Sequence, residues 1–97
     1  MTGAVDTRLH AYVRGRVQGV GFRHFVLTSA QNLGVDGWVR NLWDGRVEVL
    51  AEGSKEDLEN LLIRLKRGPS SSYVAEVTTE WLPATGEFSG FHVRFSS

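Results

Sequence analysis

Hydrophobic and polar residues alternate in five short stretches of the chain, a spacing typical of half-buried β-strands. In residues 8–14, Leu9, Ala11 and Val13 share one side. Residues 36–42 and 46–52 alternate in the same way and flank Trp-Asp-Gly, which predicts a β-hairpin. Residues 73–82 and 90–95 complete the set. In these last two stretches the pattern assigns to the buried face Ala75, Val77, Thr79, Trp81, Phe91, Val93 and Phe95.

Two further stretches have the spacing of amphipathic helices. The first covers residues 22–33, and Gly34 supplies its C-terminal stop. The second starts after Ser54, an N-cap with Asp57 three residues later, and ends at Gly68-Pro69. The predicted buried stripes are Phe22, Phe25, Val26, Ser29, Ala30 and Leu33 in the first helix, and Leu58, Leu61, Leu62 and Leu65 in the second.

The first six of these elements follow the order β-α-β-β-α-β, which predicts an α+β fold of the ferredoxin-like kind. We expect a four-stranded sheet containing antiparallel pairs, with two helices on one face and the other face open to solvent. Residues 8–97 are predicted to form a single domain, because 97 residues suffice for one two-layer core. Residues 1–7 are predicted to be a flexible N-terminal extension.

Overall composition excludes several classes of site. The chain has no cysteine, so disulfides, thiolate metal sites and a cysteine nucleophile are ruled out. Its 11 basic and 11 acidic residues balance, whereas a broad nucleic-acid-binding face would favour a strongly basic chain.

No signal peptide or long apolar run is evident, which favours a cytoplasmic location and no membrane partner. We expect a monomer.

Charge is unevenly distributed around the start of the first helix. Residues 7–35 contain no Asp or Glu, and Arg23 lies on the first helical turn. A cation there costs roughly 0.3–1 kcal/mol, because the helix dipole already makes that end positive. The preceding glycine-rich loop can turn backbone N–H groups toward an anion. A bound phosphate or carboxylate would therefore reverse the sign of the cost, and we predict a localised anion site.

Asn41 is predicted to lie near the same end of the sheet. The first and second strands run parallel in this topology, so the loop after the first strand and the C-terminal end of the second strand meet at one edge. If Val39 faces the helices, period-two alternation sends Asn41 the same way. Its amide group carries both a donor and an acceptor, which suits orienting a water beside an anion.

Two motifs on this fold resemble the signatures of the acylphosphatase family. They are Gly-Arg-Val-Gln-Gly-Val-Gly-Phe-Arg at residues 15–23 and Gly-Trp-Val-Arg-Asn at residues 37–41, the latter followed by Asp44-Gly45. Residues 86–91 also look like that family's last turn and strand. The resemblance spans residues 9–95. It implies an acid anhydride hydrolase that cleaves small acyl phosphates to carboxylate and inorganic phosphate.

The same resemblance implies roles for individual residues and no metal or cofactor. Arg23 and Asn41 would be the catalytic residues, with Asn41 positioning the attacking water. Inorganic phosphate or another anion would occupy the same loop as the substrate. The groups that hold the phosphoryl oxygens would be the Arg23 side chain and the backbone amides of Gln18, Gly19, Val20, Gly21 and Phe22.

Other interpretations of these residues stay open at this stage. The glycine loop could be a structural turn, Arg23 could pair with a distant carboxylate, and Asn41 could cap the hairpin. His24 neighbours Arg23 but is expected to be structural or peripheral. His10 and His92 are expected on the polar face, in solvent.

Two rival functions belong to other classes. One is a non-catalytic domain that binds acyl or carbamoyl phosphate for regulation. The other is an RNA-binding module with bases stacked on the open sheet, which needs exposed aromatic residues and a basic face. Tyr12 and Trp38 suit the first requirement, but several glutamates on the predicted strands oppose the second.

Overall fold

The computed structural model describes residues 7–97, which fold into five strands and two helices. The elements are β1 (Thr7–Arg16), α1 (Phe22–Leu33), β2 (Asp36–Asn41), β3 (Val47–Gly53), α2 (Lys55–Arg67), β4 (Tyr73–Leu82) and β5 (Phe91–Val93). Thr7 is part of β1, although the sequence analysis assigns it to the extension. The rest of that extension, residues 1–6, lies outside the described residues.

The strands form one sheet in the order β4-β1-β3-β2-β5. Both β1 and β2 pair antiparallel with β3, so they run parallel to each other as predicted. The expected count of four strands is wrong, because β5 adds a fifth strand parallel to β2. This strand pairs with the outer edge of β2, whose backbone groups would otherwise be left exposed at the edge of the sheet. The Gly37 N–H donates to Gly90 O at 2.9 Å there, and the Arg94 N–H to Val39 O at 2.9 Å.

The core lies between the sheet and the two helices, which confirms the predicted α+β sandwich. The inward residues of β1, Leu9, Ala11 and Val13, are fully buried. From the helices, Phe22, Val26, Ala30, Leu58, Leu61 and Leu65 pack against them. Phe25, Leu33 and Leu62 are partly buried at the margin of this core.

The two helix N-termini differ in a way that positions the site. At the start of α2, Ser54 Oγ accepts a hydrogen bond from the Asp57 N–H at 3.1 Å, and Glu56 and Asp57 lie in the first turn. At the start of α1, the N-cap is Gly21 in a left-handed conformation, with no side-chain cap and no acidic residue in the first turn. The positive end of α1 is therefore left without a protein acceptor among the described residues.

β4 departs from its predicted alternation because of a bulge. Arg14 pairs with Glu76 but Gly15 pairs with Val74, so Ala75 is the extra residue in β4. Val74 and Val77 both pack against the core as a result, and the prediction that Ala75 is buried is wrong. Thr79 is also exposed, contrary to the prediction, because β4 is an edge strand that the helices cover in part.

Phe95 also lies elsewhere than predicted. The alternation places it with Phe91 and Val93, but β5 ends at Val93 and the Phe95 side chain is 96% exposed. Phe91 itself is buried.

The outer face of β3 is buried rather than open to solvent, so that expectation is wrong for the central strand. Glu52 is 1% exposed and accepts hydrogen bonds from Arg8 Nε at 2.7 Å and the Gly86 N–H at 2.9 Å. Glu48 lies between His10 Nε2 at 2.6 Å and Arg40 Nε at 2.7 Å. His10 is thus paired and half-buried instead of solvated. His92 is exposed as predicted, with a ring nitrogen 3.0 Å from Ser89 O.

Hydrogen bonds decide the ionisation of both glutamates. Burial alone would raise the pKa of Glu48, but its bonds with His10 and Arg40 outweigh it and hold that pKa below the ordinary value. Burial opposes ionisation of Glu52 in the same way, and the backbone N–H groups of Thr85 and Gly86 lower its pKa. Both carboxylates are therefore ionised near neutral pH.

Candidate active site

The loop between β1 and α1 presents a set of backbone donors. Gly19 and Gly21 have φ angles of 73° and 78°, in the left-handed region that glycine adopts without strain. The N–H groups of residues 18–22 donate no hydrogen bond to an acceptor within residues 7–97. Successive free amides at an uncapped helix end form a site for an anion.

Arg23 lies beside these amides on the first turn of α1. The side chain is half-buried and makes no ion pair with the carboxylates of residues 7–97. The unfavourable interaction of the Arg23 charge with the helix dipole is therefore not offset by an anion within that part of the chain. A guanidinium in this position can donate two parallel hydrogen bonds to phosphoryl oxygens.

Asn41 ends β2 on the same side of the sheet. Its backbone oxygen accepts a hydrogen bond from the Ser97 N–H at 3.0 Å, which fixes the end of the strand. Its side-chain Oδ1 is buried and has no hydrogen-bond partner among residues 7–97. A buried acceptor without a donor costs about 1–3 kcal/mol, so this oxygen marks a place for a polar ligand.

These groups come together around one pocket of about 310 Å³. Of the residues singled out in the sequence, Gly19, Gly21, Phe22, Arg23 and Asn41 line it directly. Gln18 and Val20 belong to the same loop but do not line the pocket. This volume is at the lower end of the about 300–1,000 Å³ typical of small-molecule pockets, and it is large enough for a phosphoryl group.

The Gln18 side chain has a function that the sequence analysis missed. Its Nε2 donates to Leu42 O at 2.8 Å and to Arg46 O at 2.9 Å, which joins the loop to the β2–β3 hairpin. Ser71 Oγ supports the loop from the other side by donating to Val20 O at 2.9 Å. A glutamine in a glycine-rich loop was the available signal, but its partners are distant in sequence.

Three pocket residues were also missed or set aside. His24, which was expected to be structural or peripheral, is exposed and lines the pocket. Val17 and Val93 supply apolar wall, and Val93 comes from β5, whose position beside β2 was not predicted.

Within residues 7–97, no group of three or more His, Asp or Glu side chains is arranged to hold a metal ion. Across the same residues, no helix has the length and apolar character needed to span a membrane.

Residues 9–93, which include the loop, Arg23 and Asn41, match the protein-family model described as Acylphosphatase. The chain belongs to the acylphosphatase family. A relative named acylphosphatase from Pseudomonas paraeruginosa is 58% identical over 86 residues, covering 89% of this chain and 93% of the relative. Another from Syntrophotalea carbinolica is 50% identical over 88 residues, covering 91% and 96%.

Solved structures agree with this family membership. The crystal structure of acylphosphatase from Bacillus subtilis superposes with a TM-score of 0.88 at 36% identity, covering 91% of this chain and 98% of that one. Likeness of this extent supports acylphosphatase activity for the chain, and therefore a small phosphate-containing substrate. The regulatory and RNA-binding alternatives gain no support from these comparisons.

The outer face of the sheet also suits base stacking poorly. Trp38 is 7% exposed, with the guanidinium groups of Arg40 and Arg94 at 4.8 and 4.9 Å from its ring centre. Arg46 lies over the Tyr12 ring at 4.6 Å. Since stacking needs an open aromatic face, both candidate platforms are obstructed by side chains of the same chain.

Proposed function

We propose that this protein hydrolyses the carboxyl–phosphate bond of small acyl phosphates by direct attack of a water that Asn41 orients, without a metal ion. The supporting observation is that one pocket is lined by Arg23, by Asn41 with its unpartnered Oδ1, and by three residues of the loop whose amides are free, Gly19, Gly21 and Phe22. The products are a carboxylate and inorganic phosphate, and the non-catalytic alternatives do not require a residue that positions a water beside the phosphate donors.

The loop and Arg23 bind the phosphoryl group in this proposal. The N–H groups of residues 18–22 and the Arg23 guanidinium donate to its oxygens, on which negative charge is spread in the transition state. These donors are already oriented by the helix end and the glycine conformations, so little reorganisation is needed during the reaction. Inorganic phosphate, the product, binds in the same place.

In this proposal Asn41 holds the water on the side of the phosphorus that is opposite the leaving carboxylate. Asn41 Oδ1 accepts one hydrogen bond from the water, which satisfies the buried oxygen and aims the water's lone pair at phosphorus. The carboxylate is a good leaving group, so little help from an acid or base is required. The water's proton passes to a phosphoryl oxygen of the substrate, and His24, which is exposed, takes no part in this transfer.

Phosphate release from benzoyl phosphate and acetyl phosphate, followed in excess EDTA, tests this proposal. We expect turnover with both substrates and no loss on chelation. Loss of activity that returns with added metal would overturn the metal-free mechanism. Absence of turnover despite saturable phosphate binding would favour the regulatory alternative, and a salt-dependent RNA shift would favour the RNA-binding one.

We extend the proposal to the molecule's organisation. Residues 7–97 act as one catalytic domain, and residues 1–6 are not needed for turnover. The protein works as a monomer in the cytoplasm. The site supports action as a monomer, because Arg23, Asn41 and the loop all come from one chain. Sedimentation at several concentrations, cell fractionation and an assay of residues 7–97 test these three points.

A further inference from the structure

A second, larger pocket adjoins the phosphate-binding pocket. Its volume is about 710 Å³, and residues 93–97 form most of its wall together with Arg23 and Arg40. Arg23 and Val93 line both pockets, so the two share a boundary. A molecule with its phosphoryl group against Arg23 can therefore extend its remaining part into the larger space.

The wall of this pocket is fixed to the sheet by backbone hydrogen bonds. After β5, the Arg94 N–H donates to Val39 O at 2.9 Å, and the Ser97 N–H donates to Asn41 O at 3.0 Å. The Trp43 N–H in turn donates to Ser97 O at 2.8 Å. The segment thus follows the edge of β2 up to the proposed water-binding residue.

The pocket combines positive charge with exposed apolar surface. No Asp or Glu lines it. Arg94 forms no ion pair with the carboxylates of residues 7–97, whereas Arg40 is partly neutralised by Glu48 at 2.7 Å. The Phe95 side chain is 96% exposed and Val93 is 43% exposed. Contact with an apolar ligand would remove apolar surface of both residues from water, which favours binding.

We propose that this pocket is the acyl subsite and that it selects acyl phosphates with an apolar body and a carboxylate at the far end. This inference rests on the proposed function. Arg23 is occupied by the phosphoryl group, so Arg94 is the guanidinium left for a second anion, and Arg40 adds to the field. The apolar body lies against Val93 and Phe95.

A matched pair of substrates tests the subsite. In 4-carboxybenzoyl phosphate the rigid ring keeps the carboxylate away from the anhydride, so it cannot cyclise, and 4-carbamoylbenzoyl phosphate has the same shape without the charge. We expect the KM of the carboxylate to be about tenfold lower than that of the amide. In Arg94→Gln this ratio falls to about one, and in the control Arg14→Gln, an exposed arginine paired with Glu76, it stays near ten.

Further variants separate charge from folding. Arg94→Lys keeps the charge and retains most of the preference, even if loss of the Trp38 contact lowers the melting temperature. Phe95→Ala raises the KM of both substrates together and leaves their ratio unchanged. A ratio near one in the unmodified protein, or a ratio of ten that survives Arg94→Gln, would overturn the subsite.

Failure of the proposed function gives a different result. In that case benzoyl phosphate and both substituted substrates release no phosphate. The subsite is then judged by calorimetric affinities for the two non-hydrolysable phosphonate analogues, in which a CH₂ group replaces the bridging oxygen. A tenfold preference for the carboxylate analogue that disappears in Arg94→Gln supports the subsite without turnover, and equal affinities refute it.

Discussion

Gln18 Nε2 lies 2.8 Å from the carbonyl oxygen of Leu42, the residue that follows Asn41. One side-chain amide thereby joins the anion-binding loop to the strand end that holds the proposed water-binding residue. The same nitrogen donates a second hydrogen bond to Arg46 O at 2.9 Å, so Gln18 contacts both sides of the turn between β2 and β3. The distance between phosphate donors and Asn41 is consequently set by Gln18.

Gln18→Ala removes both of these hydrogen bonds. Each carbonyl keeps one backbone donor, since Leu42 O also accepts from Gly45 and Arg46 O from Leu42. We therefore expect a loss of about 1–2 kcal/mol in the free energy of unfolding, measured in urea. The turnover number falls as well, because the loop is no longer held in its position relative to Asn41. Gln31→Ala, an exposed glutamine of α1, serves as the control. Unchanged stability in Gln18→Ala would contradict this function.

Arg23→Ala should have opposite effects on activity and stability. Losing a preorganised donor to the transition state lowers kcat by about 10²–10³. Removing a cation from the positive end of α1 raises the free energy of unfolding by roughly 0.3–1 kcal/mol at low salt. Phosphate-release assays and urea titrations of the same preparation measure both. Arg23→Lys recovers little activity, because an ammonium cannot fork onto two oxygens.

The control for Arg23 is Arg14→Ala, which removes an equal charge from an exposed position of β1. It should change kcat by less than about twofold. Comparable losses of activity in the two variants would attribute the effect to overall charge instead of to the site.

Asn41→Ala separates catalysis from folding in a second way. The buried Oδ1 has no partner within residues 7–97, so deleting it costs no hydrogen bond there and the melting temperature is maintained. Turnover falls by about 10²–10³ because the water loses its orientation. Asn60→Ala, at an exposed position of α2, leaves both quantities unchanged. A near-normal kcat in Asn41→Ala would remove this residue from the mechanism.

The parts that were predictable from sequence depend on local spacing. The stripes of α1 and α2 follow a helical period, and the missing carboxylates around Arg23 are visible in the sequence itself. Asn41 could be associated with the loop because a right-handed crossover makes β1 and β2 parallel. In each case the inference needed no knowledge of partners distant in the chain.

The parts that were not predictable depend on such partners. The bulge at Ala75 shifts the pairing of β4 by one residue, and alternation alone cannot reveal it. Nothing near Gln18 in the sequence indicates that its amide reaches the hairpin. Phe95 continues an alternating pattern, but the segment after β5 follows the edge of β2 and leaves that side chain in solvent.

Buried Glu52 predicts how stability depends on acid. Hydrogen bonds to its carboxylate lower its folded pKa below 4.5 despite burial, so between the two pKa values the unfolded chain binds the extra proton. Stability from this group is complete above pH 4.5 and is lost as the pH falls through the folded pKa. Melting temperatures from pH 7 to pH 3 should decline most steeply in that acid range.

Glu52→Gln assigns part of that decline to one group. The amide cannot accept from Arg8, Thr85 and Gly86 as the carboxylate does, so this variant is less stable at pH 7. Because it has no proton to gain, its melting temperature falls less between pH 5 and pH 3. The exposed Glu59→Gln follows the unmodified protein at every pH. An acid decline in Glu52→Gln as steep as in the unmodified protein would mean that other carboxylates, Glu48 first among them, carry the whole effect.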